Sequence, residues 1–169
     1  MPTSLETIDA IARWTHLMGV VVWMGHNLAN VVQNPYYKPA SATSPLEELG
    51  QRFEKALRRE HGVFRYASLF VLASGAFMLW HRGILADVLT MSGDFAVLGI
   101  GVWVGVAMTL NLWFVLWPHQ KKVIGFVPAP LEERIRCSRI TFLSSRTNSM
   151  LAFPAVFFMG AGSHGAAIF

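Results

Sequence analysis

The sequence predicts an all-α integral membrane protein, a four-helix bundle whose N-terminus and C-terminus both lie outside the cytoplasm. Three observations lead to this fold class. Of the 169 residues, 53% are hydrophobic and only 14% are charged, whereas about a quarter of a soluble domain is charged. The charges are clumped, which leaves four long apolar stretches. The basic residues fall almost entirely on one side of a four-span arrangement.

Each apolar stretch is long enough to cross a bilayer as a helix. The whole chain, 1–169, is read as one membrane domain, with spans at about residues 8–32, 63–81, 95–117 and 140–160. Pro118 is expected to close the third span, because proline has no backbone N–H to continue a helix.

A short amphipathic helix is predicted in the first connection. Leu49, Phe53 and Leu57 recur there at four-residue spacing among charged residues. Such a pattern is typical of a helix lying on a membrane surface.

The basic residues set the orientation. Twelve of the 14 Lys and Arg residues lie in or beside the first and third connections, and only Arg13 and Arg82 lie on the other side. The positive-inside rule therefore places these two connections in the cytoplasm. The net charge of +4 is then a topology signal, with anionic lipid headgroups rather than nucleic acid as neighbours.

No catalytic motif is present in the sequence. The single cysteine, Cys137, excludes an internal disulfide and any multi-cysteine metal site. There is no Walker loop, zinc-protease motif or serine-nucleophile elbow, which favours a non-catalytic role. Gly101 and Gly105 form a small-xxx-small pair suited to close helix packing.

Six histidines are the main candidates for chemistry. They divide between the two faces, with His16, His81 and His164 toward the outer one and His26, His61 and His119 toward the inner one. Ionisable residues within a membrane are costly and suggest function, and imidazole binds haem iron and transition metals. The alternative is that a buried histidine hydrogen-bonds a neighbouring helix.

Further polar residues interrupt the spans. Asn111, Arg146 and Asn148 are candidates for holding a haem propionate, a quinone carbonyl or a lipid phosphate, while interhelical hydrogen bonding is the alternative. Asn27, Asn30 and Asn34 share one face of the first helix, and Arg139 lies one heptad before Arg146.

Three sequence blocks resemble a known family. They are Arg13-Trp-Thr-His16 through Trp23-Met-Gly25, Asn111-Leu-Trp-Phe through Pro118-His-Gln120, and Ser145-Arg-Thr-Asn148 through Pro154 and on to Ser163-His164. Together they are similar to the membrane domain at the N-terminus of bacterial membrane-bound urate oxidases. The chain resembles a short, four-helix version without the cytochrome c domain or a Cys-x-x-Cys-His motif, so urate oxidation itself is not carried over.

The resemblance implies a redox setting in a bacterial inner membrane, as a multi-pass protein. It implies a c-type cytochrome, a respiratory complex or a quinone as partner. It also favours His16 and His164 as an axial pair for a metal, since both fall in matching blocks. The family usually has Asn where His119 stands, which argues against His119 as a ligand.

Three functions follow from these observations as hypotheses. The first is a b-type haem protein in electron transfer, as a carrier or an anchor subunit. The second is a haem-free structural subunit of a larger membrane complex. The third is a metal or small-solute permease that collects copper or zinc with the outer histidines. Each is compatible with an oligomer.

Overall fold

The computed structural model describes residues 4–38, 45–60 and 62–165, and all regular elements in these ranges are helical. The predicted all-α class is therefore confirmed there, whereas His61 lies outside the described residues. The elements are α1 Ser4–Gln33, α2 Leu46–Arg58, α3 Val63–His81, α4 Leu85–Leu89, a 3-10 turn Gly93–Phe95, α5 Ala96–Leu110, a π-helical turn Asn111–Leu116, α6 Trp117–Val123 and α7 Leu131–Ser163.

The long helices pack in pairs. α1 packs against α3 and α5 against α7, while α1 also meets α7 and α3 meets α5. Two segments, Val63–His81 and Gly93–Val123, are long and apolar enough to cross a membrane. α1 and α7 have 30 and 33 residues, but polar and basic residues interrupt their apolar stretches. Four spans and the outward orientation of both termini stay predictions.

The third long helix continues past Pro118, where the sequence predicted its end. Pro118 lies in the first turn of α6, which runs on to Val123. The preceding turn is π-helical, and the Trp117 backbone N–H bonds the carbonyl oxygen of Leu112. A π turn of this kind shifts the hydrogen-bond pattern by one residue, and it precedes the proline that cannot donate.

The last helix begins earlier than predicted, at Leu131 instead of near residue 140. Pro130 occupies its cap position, and Glu132 and Glu133 lie in its first turn. Both features favour a helix start, because proline needs no hydrogen-bond acceptor there and acidic groups complement the helix dipole. The added turns carry α7 beyond the predicted span.

α2 is amphipathic as predicted, but two of the three residues of its apolar stripe lie on protein, while Leu57 is 41% exposed. Leu49 and Phe53 are 1% and 8% exposed and form a small core with Val123 of α6 and Cys137 of α7. The additional turns of α7 thus provide the surface that α2 covers.

Close packing joins α5 to α7 at Gly101. A Cβ added there would lie 2.8 Å from the backbone N of Met159, whereas one on Gly105 would meet only the methyl end of the Met159 side chain, at 3.3 Å. Small residues at helix contacts let backbones approach in this way. The expectation of close helix packing is met at Gly101.

Candidate functional site

His16 connects α1 to α3. Its Nδ1 lies 3.0 Å from Ser74 Oγ, and a Cβ added at Gly75 would lie 3.1 Å from its Cε1. The ring is half-buried between the two helices. The contact has the form that the interhelical alternative predicts.

His164 follows the last residue of α7 and is exposed. Its Nδ1 lies 2.8 Å from the carbonyl oxygen of Gly160, so the ring caps the end of its own helix. His16 is engaged with α3 and His164 with α7, and no described contact joins the two rings. Their role as an axial pair stays a prediction.

His81 and His119 make contacts within their own helices. His81 stacks on Phe77 with ring centroids 5.7 Å apart. The Nδ1 of His119 lies 2.6 Å from the carbonyl oxygen of Val115, one turn earlier. Such local contacts are ordinary for histidines near helix ends.

Asn111 and Asn148 bond each other between the π-helical turn and α7. The Asn111 side-chain amide donates to the Asn148 side-chain oxygen at 2.8 Å, and the Asn148 amide donates to the Met108 carbonyl at 3.0 Å. The Asn111 oxygen accepts from the Ser144 hydroxyl at 2.9 Å. Asn148 is only 1% exposed, so these amides hold helices together and have little capacity left for a ligand.

An open cleft of about 970 Å³ lies where the end of α1 meets α2 and α7. α3 and α6 contribute the remaining walls. Among the described residues, its lining contains five basic side chains and a single carboxylate, Glu48; the basic residues are Lys38, Arg52, Lys55, Arg59 and Arg146. The cleft is therefore a cationic site at the end of the molecule that the charge pattern assigns to the cytoplasm.

His26 and Arg146 are the two predicted site residues in the cleft. The His26 ring is half-buried and stacks on Phe64 at a centroid distance of 4.6 Å. The Arg146 guanidinium donates to the Asn34 carbonyl oxygen and lies over the Phe142 ring, 4.6 Å from its centroid. Contacts with Phe64 of α3 for His26, and with Asn34 and Phe142 for Arg146, thus give both side chains defined positions.

Sequence reasoning missed the contribution of α2 to this site. Arg52, Lys55 and Arg59 were interpreted only as topology signals, yet they line the cleft opposite Arg146. The four-residue spacing of Leu49 and Phe53 was the signal available. When that stripe is buried against protein, the basic residues beside it on α2 come to lie next to the neighbouring helices.

The donor groups of the cleft fit a haem with one histidine ligand. Haem b needs an axial ligand for its iron and partners for two propionates. His26 offers an imidazole and Arg146 a guanidinium within the same lining. In the described ranges, no three His, Cys, Asp or Glu side chains are grouped so that they could hold a metal ion.

Comparisons with family models, with curated proteins and with solved structures find no match to this chain. The resemblance to the urate-oxidase membrane domain stays a prediction.

Proposed function

We propose that this chain is a haem-free anchor subunit of a redox complex in the bacterial cytoplasmic membrane. It crosses the bilayer four times, as α1, α3, the continuous α5–α6 segment and α7, with both termini outside. A c-type cytochrome, a respiratory complex or a quinone-using enzyme is the partner that the sequence resemblance suggests.

The apolar outer surface of α1 and α7 supports the four spans. Trp14 is 65% exposed, and Met150 and Phe153 are 69% and 62% exposed. Asn148 and Ser149, in contrast, are buried and hydrogen-bonded inside. Polar groups inside and large apolar groups outside are what a lipid surrounding requires. In the 18-residue apolar stretches within Val63–His81 and Gly93–Val123, only 28% and 39% of the residues are buried, whereas the core helix of a soluble protein is mostly buried.

The main support for the anchor role is that candidate ligand side chains form hydrogen bonds between helices. His16 bonds Ser74, and Asn111 and Asn148 bond each other. These side chains join helix to helix, and interhelical hydrogen bonds stabilise a bundle in lipid.

A second candidate function is a b-type haem carrier. The position of His26 in a cleft with Arg146 favours it. Haem supplies one-electron transfer when it is bound. His26 would provide an imidazole ligand for its iron, and Arg146 would pair with a propionate.

Visible spectra separate the two functions. The chain and its His26→Ala, His16→Ala and His164→Ala variants are purified in detergent, and oxidised and dithionite-reduced spectra, a pyridine haemochrome assay and metal analysis are recorded. The anchor function predicts a colourless chain that co-purifies with larger subunits.

Each other outcome selects a different function. A b-type spectrum that His26→Ala alone removes would replace the anchor by a carrier with haem in the cleft. Loss of the spectrum in both His16→Ala and His164→Ala would establish the pair predicted from sequence. Stoichiometric copper in a colourless, monomeric chain would favour the permease.

A further inference from the structure

Two residues of the cleft lining each carry a buried donor that has no acceptor among the described residues. The side-chain amide nitrogen of Asn27 and the Nη1 of Arg146 are buried and have no hydrogen-bond partner among the described residues. Asn27 is only 6% exposed, and both residues belong to the cleft lining. Buried donors in folded proteins are nearly always paired, so an acceptor beside these two residues is expected.

The charge around these donors selects an anionic acceptor. Of the five basic side chains in the lining, Arg52 already pairs with Glu48 at 2.6 Å. The described lining residues include no further carboxylate for Lys38, Lys55, Arg59 and Arg146. An anion in the cleft would balance this charge and accept charge-assisted hydrogen bonds.

An apolar wall faces the same space. Apolar atoms provide most of the exposed surface of the cleft, with the half-buried rings of Tyr37 and Phe142 among them. The side chains of Phe53, Phe64, Leu116 and Val123 lie behind this surface and are buried. A small hydrophilic anion would leave this wall in contact with water. A ligand with a charged head and hydrocarbon chains would cover both parts of the surface.

We infer that the cleft binds an anionic phospholipid of the inner leaflet, with its phosphate at Asn27 and Arg146 and its chains along the apolar wall. This inference rests on the proposed membrane embedding and orientation, which place the cleft at the cytoplasmic face. Anionic lipids are attracted to basic segments at that face. A headgroup without an amine suits the site, because no free carboxylate in the lining would attract an ammonium group.

The test measures bound lipid directly. Wild-type chain is purified in mild detergent, delipidated, and titrated with phosphatidylglycerol, phosphatidylcholine or inorganic phosphate. Bound lipid is counted by native mass spectrometry, and thermal unfolding is followed by tryptophan fluorescence. We expect one phosphatidylglycerol per chain and a raised unfolding temperature, because a ligand that binds the native state stabilises it. Arg146→Gln should weaken this binding about tenfold or more, as expected for loss of a charge-assisted hydrogen bond.

Arg139→Gln is the matched control, since Arg139 lies on the same helix, is exposed and is not part of the cleft lining. It should bind phosphatidylglycerol like the wild type. If Arg146→Gln fails to fold, the double variant Lys55→Gln, Arg59→Gln tests the same cleft from its exposed side and should also bind more weakly.

Several results would overturn the proposal. Equal binding of phosphatidylcholine would mean a nonspecific lipid surface, and an equal shift with inorganic phosphate would mean a site for a soluble anion. The proposal would also be rejected if the mass spectrum showed bound haem in place of lipid, or no bound phosphatidylglycerol after the titration. Carbonate extraction of membranes tests embedding separately, so a failure of the anchor proposal is distinguishable from a failure of lipid binding.

Discussion

The Asn148 side chain shows how a buried amide contributes to stability in this chain. It accepts a hydrogen bond from Asn111 and donates one to the Met108 carbonyl. Asn148→Ala removes both bonds and leaves the Asn111 amide with only its bond to the Ser144 carbonyl, so we expect a loss of about 1–2 kcal/mol in the free energy of unfolding. Thr147→Ala is the control, because the exposed Thr147 hydroxyl bonds only the Leu143 carbonyl of its own helix. Unfolding by a denaturing detergent measures both; equal losses would contradict the role of Asn148.

At the scale of residues, the sequence located polar groups but not their partners. Asn111, Arg146 and Asn148 stand out because each interrupts an apolar stretch. Their partners depend on the rotation and axial register of neighbouring helices, which a single sequence does not specify. The bond from His16 to Ser74 illustrates this, since serine is common in helices and nothing in the chain marks Ser74 as a partner.

Gly101 sets the distance between α5 and α7. A Cβ at this position would lie 2.8 Å from the Met159 backbone nitrogen and 3.2 Å from the Phe158 carbonyl carbon. Since backbone atoms cannot move aside as a flexible side chain does, Gly101→Ala should destabilise the chain by about 1–3 kcal/mol. Gly160→Ala is the control, because nothing lies within 4 Å of a Cβ there. Thermal unfolding in detergent compares the two; a Gly101→Ala variant as stable as Gly160→Ala would show that the helices separate easily.

The apolar stretches predicted where the long helices lie, and the boundaries were the weaker part. Hydropathy identifies the segment suited to lipid. The end of the apolar stretch does not show whether the helix also ends there or continues into water. α7 therefore starts at Leu131, well before its apolar stretch. Pro118 similarly suggested an end, although a π-helical turn before it lets the helix continue. The pattern of α2 shows that one face is apolar, but it does not predict that this face packs on α6 and α7.

The same basic residues serve two purposes in the whole molecule. As a group they predict which face lies in the cytoplasm, and five of them converge on one cleft in the folded chain. The outer half is different, because Arg82 and Arg13 both pair with Asp9. Positive charge without carboxylate partners is therefore concentrated at one end, which is where anionic headgroups would bind.

The proposed lipid site depends on the orientation of the chain in the membrane, and cysteine labelling tests this orientation. Cys137→Ser removes the single native thiol. Asp94→Cys then places one thiol before α5, and Glu47→Cys places one on α2; both positions are exposed. In intact bacterial cells, a membrane-impermeant maleimide should label the first thiol, since the connection between α3 and α5 carries a single basic residue and is assigned to the outside. The second should react only after lysis.

The reverse pattern would place the cationic cleft outside the cell and remove the basis for an inner-leaflet lipid there. Reaction of neither thiol before lysis would contradict the crossing of the membrane between α2 and α5.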